Sequence, residues 1–140
     1  QLLQLVKLLE FGSQNKRMTK LLVIAFGGAL GSLSRYYVSN SVLKNFIYFD
    51  IPIAIITVNI AGSFIFGFFM GLIENNIIIA DNTKIFIMTG FLAAFTTFST
   101  FAWESVILFQ NEMYMKLVIY CLVSIILSVA FCIFGYYLGK

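Results

Sequence analysis

The chain has 140 residues, of which 61% are hydrophobic and 11% charged, and its formal net charge is +3. A soluble domain carries about 25% charged residues, so this composition indicates a single membrane-embedded domain, and the scattered charge argues against a nucleic-acid partner. The chain contains no histidine, which excludes a Ser-His-Asp triad, a histidine proton shuttle and a histidine metal site, and we expect no enzymatic activity.

The first 17 residues differ in character from the rest of the chain. The stretch "QLLQLVKLLE" fits a short amphipathic helix, and "EFGSQNKR" resembles a linker that precedes Met18. We interpret residues 1–17 as a non-native addition or, alternatively, as a helix that lies on the membrane surface. Residues 18–140 are then the membrane domain.

Four long apolar stretches follow, and each is near or above the roughly 20 residues that a helix needs to cross a bilayer. They cover residues 21–38, 53–73, 85–109 and 117–138. The short connectors hold most of the remaining charge, including Lys44 and Asp50 in the first of them. Because an open sheet cannot satisfy its edges in lipid, we expect no strands and predict an all-α membrane protein with four transmembrane helices.

The first span contains the motif "GGALGSLSRY". Gly27 and Gly31, and likewise Gly28 and Ser32, are pairs of small residues at a spacing of four, which let another helix approach closely. Arg35 follows one turn later. Its guanidinium either extends to the headgroups or places a fixed positive charge at a pore entrance or a helix crossing.

The second span contains Asn59 in the stretch "TVNIAGSFIFGFFMG". Ser63, Gly67 and Gly71 form a stripe of small residues there, which predicts a packing face. A carboxamide has two N–H donors, and leaving them unpaired in hydrocarbon is costly. Asn59 therefore either bonds to another helix or donates to something that passes, and its residue type alone favours the interhelical bond.

The third span concentrates polar groups in "GFLAAFTTFSTFAWE", residues 90–104. On a single helical wheel, Thr97, Thr100 and Glu104 share one face, and a second face carries four phenylalanines, Phe91, Phe95, Phe98 and Phe101. Hydroxyls can be satisfied by the carbonyl one turn back, but an ionisable residue inside a span indicates a function. Amide N–H groups, hydroxyls and the positive edges of phenyl rings suit a small anion that must bind and then leave.

The fourth span carries both cysteines, Cys121 and Cys132. A separation of eleven residues on a helix corresponds to about 16 Å along the axis, which is too far for a disulfide. We therefore expect two free thiols.

Lysine and arginine are distributed evenly between the two sides of the predicted bundle. Counted from Met18, one side carries Lys20, Lys84 and Lys140, and the other carries Arg35, Lys44 and Lys116. The positive-inside rule then gives no preferred orientation, which permits an antiparallel dimer of identical subunits. Alternatively, the even count reflects only how few charges so small a protein has. If Lys16 and Arg17 are native, the balance favours an internal N-terminus.

Three motifs, in this order along the chain, resemble the Fluc/CrcB family of fluoride channels: "GGALGSLSRY", "TVNIAGSFIFG" and "TGFLAAFTTFSTFAWE". The resemblance covers residues 18–140. It implies a channel that exports fluoride passively across the inner (plasma) membrane of the cell and thereby lowers cytoplasmic fluoride. It also implies a dual-topology homodimer of antiparallel subunits with two pores, a broken third helix, and a structural sodium ion at the dimer centre.

The resemblance also implies which residues form each site. The fluoride pathway corresponds to Asn59, Phe98, Phe101, Ser99, Thr100, Glu104 and Arg35. The sodium ligands correspond to the main-chain carbonyls of Ala93 and Thr96. This chain has Ala93–Ala94 where the family usually has a glycine pair, and alanine poorly tolerates the positive φ that a broken helix can require.

Two other functions fit part of the sequence. A small multidrug-type, proton-coupled exporter also has four spans and dual topology, but that class relies on a carboxylate in the first span, whereas this chain places Glu104 in the third. A non-transporting assembly subunit would account for the packing glycines but not for Asn59 or the hydroxyls. The sequence therefore predicts a fluoride channel, with the exporter as the alternative.

Overall fold

The computed structural model describes residues 2–43, 47, 48 and 51–140. Within that range, four helical segments are long and apolar enough to cross a membrane: Gln14–Val42, Ile53–Glu74, Asp81–Gln110 and Tyr114–Gly139. They contain all the predicted spans, so the prediction of four transmembrane helices is confirmed. The charged residues Lys44 and Asp50 lie outside the described residues.

The first span is part of a longer helix. Helix α1 covers Leu2–Tyr37 and continues as a π-helical turn over Val38–Val42. The helix passes through residues 11–17 without a break, so the expected linker is wrong. Its glutamine, lysine and arginine are good helix formers, which explains why the helix extends through them. The assignment of residues 1–17 as a non-native or interfacial segment stays a prediction.

The connector between the first two spans contains a short β-ribbon, where the sequence predicted no strands. Strand β1 (Ile47–Tyr48) pairs antiparallel with β2 (Ile51–Pro52), and Ile47 lies opposite Pro52. The ribbon lies between two spans rather than inside one, so it presents no open sheet edge to the hydrocarbon core. The spans themselves are helical, as predicted.

The remaining three spans are built from helices α2 to α6. The second span is α2 (Ile53–Glu74) and the fourth is α6 (Tyr114–Gly139). The third span is divided into α3 (Asp81–Lys84), a π-helical stretch (Ile85–Leu92), α4 (Ala93–Phe95) and α5 (Phe98–Gln110). A π-helical stretch in a span often accompanies a functional site.

Helices α2 and α6 pack backbone against backbone through glycines on both sides. A β-carbon on Gly67 of α2 would lie 2.0 Å from the carbonyl oxygen of Cys132, and one on Gly135 of α6 would lie 2.2 Å from that of Phe64. Gly71 and Gly139 make equally close approaches one turn further along. The predicted packing role of the glycines in the second span is therefore confirmed, and their partner is the fourth span.

A second glycine contact joins α1 to the first half of the third span. A β-carbon on Gly31 would lie 2.2 Å from the carbonyl oxygen of Phe91, and one on Gly27 would lie 2.7 Å from that of Phe86. Of the two predicted small-residue pairs in the first span, this pair forms the contact. Gly28 has only the Gly90 carbonyl oxygen at 4.0 Å, so the other pair stays outside the contact within this subunit.

The difference between these two glycines gives a prediction for stability. Gly31→Ala should destabilise the folded chain by about 1–3 kcal/mol, because the added methyl group forces two helix backbones apart. The matched change Gly28→Ala has room for its methyl group and should leave the thermal midpoint in detergent unchanged. Equal midpoints for the two variants would contradict the assignment of the close contact to Gly31.

Candidate functional site

The polar motif of the third span contains two consecutive residues in extended conformation. Helix α4 ends at Phe95 and α5 begins at Phe98. Between them, Thr96 has φ −75° and ψ 155°, and Thr97 has φ −152° and ψ 124°. We call Thr96 and Thr97 the junction. The Thr96 N–H still donates to the Leu92 carbonyl oxygen at 3.0 Å, but the extended conformation interrupts the helical hydrogen bonds at Thr97.

Asn59 of α2 supplies partners for the backbone of the junction. Its Nδ2 donates to the carbonyl oxygen of Thr97 at 3.0 Å, and its Oδ1 accepts from the Thr97 N–H at 2.8 Å. One carboxamide thus satisfies both backbone groups of one residue, and the interhelical bond that the sequence favoured is confirmed. A carboxamide has two amide hydrogens, and this pairing uses one of them.

Thr97 also caps the helix that follows the junction. Its Oγ1 accepts from the backbone N–H of Thr100 at 3.3 Å, as an N-cap side chain does. The same oxygen lies 3.2 Å from the hydroxyl oxygens of both Ser99 and Thr100. Three hydroxyls therefore converge at the N-terminus of α5, where the helix dipole favours negative charge.

Thr96 is fixed by its own helix and by a glycine of α2. Its Oγ1 donates to the carbonyl oxygen of Leu92 at 2.9 Å, which is the expected bond to the preceding turn. Its Cγ2 would lie 2.3 Å from a β-carbon at Gly62. Gly62 therefore lets the junction lie against α2, one turn from Asn59, and the sequence analysis did not single it out.

The phenylalanines of the motif form two separate pairs rather than one face. Phe91 and Phe95 stack before the junction, with ring centroids 5.8 Å apart. Phe98 and Phe101 pair after it, at 5.5 Å with an angle of 50° between the rings. The single helical wheel is therefore wrong, because the extended junction interrupts the helix whose periodicity the wheel assumes.

Phe98 and Phe101 have contrasting environments. Phe98 is 77% exposed in the single subunit, whereas Phe101 is 8% exposed and belongs to the hydrophobic core. The ring of Phe101 stacks on that of Tyr120, with centroids 5.2 Å apart. Phe101 thus links the motif to the fourth span, while Phe98 leaves its ring available to another group or subunit.

Glu104 is bound to the fourth span rather than left free in the bilayer. The hydroxyl of Tyr120 donates to its Oε2 at 2.5 Å, and Tyr120 itself is fully buried. This bond offsets part of the free-energy cost of placing a carboxyl group inside a membrane span.

An open cavity of about 550 Å3 lies beside the junction. Several predicted site residues line it, namely Asn59, Ala93, Thr96, Phe98 and Phe101. Four others, Arg35, Ser99, Thr100 and Glu104, are not among the described lining residues. The cavity therefore brings together the predicted asparagine, both pathway phenylalanines and both predicted carbonyl ligands.

The opposite wall of the cavity is formed by α6, and the sequence analysis missed it. Ser124, Ser128 and Cys132 line the cavity at a spacing of four. Ser124 is 5% exposed, and its hydroxyl has no hydrogen-bond partner in the part of the chain that the structure describes. The signal was present in the sequence, because Tyr120 continues the same spacing of polar residues through an otherwise apolar span.

The alanine pair before the junction adopts ordinary backbone angles. Ala93 has φ −64° and ψ −30°. Among the described residues, positive φ values outside glycine occur only at Asn76 and Glu112. The junction therefore forms without positive φ, the conformation for which glycine would be needed. The Thr97 N–H, which would bond to the Ala93 carbonyl in a continuous helix, donates to Asn59 instead.

Comparison with known proteins places this architecture in a family. The family model for the CrcB-like protein, Camphor Resistance (CrcB), matches residues 22–136. A protein named fluoride-specific ion channel FluC from Campylobacter fetus subsp. fetus is 40% identical over 122 residues, which cover 87% of this chain and 94% of that protein. A protein of the same name from Ruminiclostridium cellulolyticum is 41% identical over 128 residues, or 89% and 92% of the two chains.

A third relative, fluoride-specific ion channel FluC 1 from Halalkalibacterium halodurans, is 40% identical over 120 residues, which cover 84% of this chain and 94% of that protein. The match to the family model, over residues 22–136, reaches into all four spans and includes the junction and both of its neighbouring helices. The relatives and the four spans agree with a multi-pass protein of the cell membrane. The chain is therefore a member of the CrcB-like family.

Proposed function

We propose that this protein is a fluoride-selective channel through which fluoride leaves the cell passively. The observation that carries the proposal is the neutral, donor-bearing wall of the cavity beside the junction. Asn59, Thr97 and Ser124 contribute amide and hydroxyl groups, and no charged residue is found among the described residues that line it. Neutral donors replace the hydration of a small anion without holding it as tightly as a full positive charge would, so the ion can also leave.

The phenyl rings add a second kind of contact for the anion. The edge of a phenyl ring is weakly positive and its face is negative. Phe98 and Phe101 stand at the cavity with their planes inclined at 50°, so an ion beside them can meet an edge rather than two faces. We assign Asn59, Phe98 and Phe101 to the fluoride path, with Ser99, Thr100, Glu104 and Arg35 along its approaches.

Passive conduction is distinguished from proton-coupled export by the driving force that it requires. Vesicles loaded with potassium fluoride, at equal pH on both sides, should release fluoride when valinomycin provides a path for potassium. A proton-coupled exporter would instead require an imposed pH gradient. The pairing of Glu104 with Tyr120, away from the described cavity lining, favours the channel. Fluoride efflux that requires a pH gradient and is unchanged by valinomycin would support the exporter.

We also propose that two identical subunits assemble antiparallel, with dual topology. Within one subunit the cavity is open, and its polar lining, which includes Asn59 and Thr97, would be costly to expose to hydrocarbon unless another surface covers it. The even distribution of lysine and arginine over the two sides of the bundle supports both orientations. A second copy in the opposite orientation would cover the cavity of the first.

Labelling of a single cysteine tests this arrangement. In a chain carrying Cys121→Ser and Cys132→Ser, we would introduce Asn82→Cys, at an exposed residue in α3. A membrane-impermeant thiol reagent should modify only part of the population in intact cells and all of it after permeabilisation. Complete modification in intact cells would show one fixed orientation and contradict dual topology.

The junction also supports a structural sodium ion at the dimer centre. The last carbonyls of a helix lack intrahelical partners and carry partial negative charge. Here the Thr97 N–H bonds to Asn59, which releases the Ala93 carbonyl, and the extended Thr96 ends the helix. We propose that the carbonyls of Ala93 and Thr96 bind Na+, which would hold the junctions of two subunits together.

Replacing sodium in the buffer tests this proposal. A ligand that binds only the folded state stabilises it by an amount that grows with the logarithm of its concentration once that concentration exceeds its dissociation constant. The thermal midpoint of the purified protein in detergent should therefore be higher in sodium chloride than in N-methylglucamine chloride at equal ionic strength. Identical midpoints across a wide range of sodium concentrations would exclude a stabilising sodium site.

A further inference from the structure

One of the two cysteines lies on the wall of the cavity beside the junction. Cys132 of α6 lines the cavity with Met88, Ser124 and Ser128, whereas Cys121 is not among the described lining residues. Both thiols are free, and both side chains are half-buried. The two cysteines therefore share a helix and a similar burial but differ in their access to the cavity, which makes each a control for the other.

The cavity has properties of a space that admits small molecules. Its volume of about 550 Å3 is many times the share of a single water molecule. Ser124 on the same wall is 95% buried, and its hydroxyl is unpaired within the described residues. A buried hydroxyl without a partner is costly, so this wall of the cavity lacks a hydrogen bond that a small polar guest could supply.

We propose that Cys132 is a modification site, at which small, neutral, disulfide-forming electrophiles reach the cavity and block the passage of fluoride. With methyl methanethiosulfonate as the probe, the Cys132 thiolate attacks the divalent sulfur of the methylthio group. A disulfide bond forms, the bond between that sulfur and the sulfonyl sulfur breaks, methanesulfinate leaves, and the thiol proton passes to water. The added methylthio group occupies the cavity and replaces the weak S–H donor.

The blocking effect rests on the proposed function, because it requires fluoride to pass this cavity. Phe66 and Val129 line the same cavity as Cys132, so a methylthio group added at this wall takes up cavity space. Cys132 makes its close contact with Gly67 through its backbone carbonyl, and that contact does not use the thiol. Modification there narrows the path, whereas modification of Cys121, whose Sγ lies 3.7 Å from Ser105 Oγ, does not.

The test compares the unchanged chain with Cys132→Ser and Cys121→Ser after reconstitution into vesicles. Mass spectrometry of each protein identifies the modified cysteine, and initial fluoride efflux after treatment is divided by the efflux of the same variant before treatment. The unchanged chain and Cys121→Ser should gain the methylthio group on Cys132 and lose most of their efflux. Cys132→Ser should keep its ratio near one, and dithiothreitol should restore the other two.

Each contrary outcome has a distinct meaning. An unmodified Cys132 in the folded chain, or an equal loss of efflux in Cys132→Ser, would overturn the proposal. Modification of Cys132 without loss of efflux would also overturn it, while leaving the channel function intact. If untreated vesicles released no fluoride at all, the proposed function would fail, and the mass measurement would still decide whether the cavity admits the reagent to Cys132.

Discussion

Replacing Asn59 with aspartate should nearly abolish fluoride efflux. The carboxylate keeps an acceptor for the Thr97 N–H but loses the Nδ2 donor that lies 3.0 Å from the Thr97 carbonyl oxygen. A negative charge about 4 Å from a passing anion opposes it by about 4 kcal/mol at the dielectric of a protein surface. That barrier corresponds to about a thousandfold slower passage.

The matched control for this change is Asn40→Asp. Asn40 is exposed, and its Nδ2 also donates to a backbone carbonyl, that of Tyr36 at 3.2 Å. The chemical change is therefore the same, but it occurs away from the cavity, and efflux should stay close to that of the unchanged protein. Rapid efflux through Asn59→Asp, or an equal loss in Asn40→Asp, would contradict the role of Asn59 at the junction.

The second large effect is expected from replacing either pathway phenylalanine with isoleucine. Isoleucine keeps apolar bulk but has no ring edge to offer an anion, so initial efflux per amount of reconstituted protein should fall sharply for Phe98→Ile and Phe101→Ile. Phe101→Ile also removes the stacking on Tyr120, which contributes about 0.5–1.5 kcal/mol to stability. Phe98→Ile leaves the subunit core unchanged because its ring is exposed.

The two variants together separate conduction from packing. Size-exclusion chromatography should show that both variants elute like the unchanged protein. Phe101→Ile, which loses ring contacts with both Phe98 and Tyr120, should have the lower thermal midpoint. Phe109→Ile is the control, because Phe109 is an exposed phenylalanine of α5 that is not among the described cavity residues. Near-normal efflux in both pathway variants would mean that these rings serve packing and that the anion passes elsewhere.

The four spans could be predicted from sequence because the bilayer sets their length and composition. The glycine contacts could be predicted only in part. The spacing of four predicts the small-residue pairs Gly27–Gly31 and Gly28–Ser32 equally well. Which pair faces the neighbouring helix depends on how the two helices are rotated about their axes. Only the fold shows that Gly31 forms the contact and that Gly28 does not.

The candidate site shows the same limit more clearly. The carboxamide of Asn59 could be predicted to bond across helices, but its partner Thr97 lies 38 residues away along the chain. The extended junction depends on that distant pairing, so a helical wheel drawn from the local sequence could not represent it. The wall formed by α6 was missed because the polar residues spaced four apart there, such as Ser124 and Ser128, stand in a strongly apolar span, where hydropathy dominates the pattern.

The most direct test of the central claim compares fluoride with chloride. Vesicles that contain the purified protein would be loaded with potassium fluoride or potassium chloride at equal pH, and efflux would be started with valinomycin and followed with an ion-selective electrode. Fluoride should leave rapidly, while chloride-loaded vesicles stay sealed, because amide and hydroxyl donors approach the smaller fluoride ion more closely and therefore stabilise it more than they stabilise chloride. Chloride efflux as fast as fluoride efflux would contradict the account.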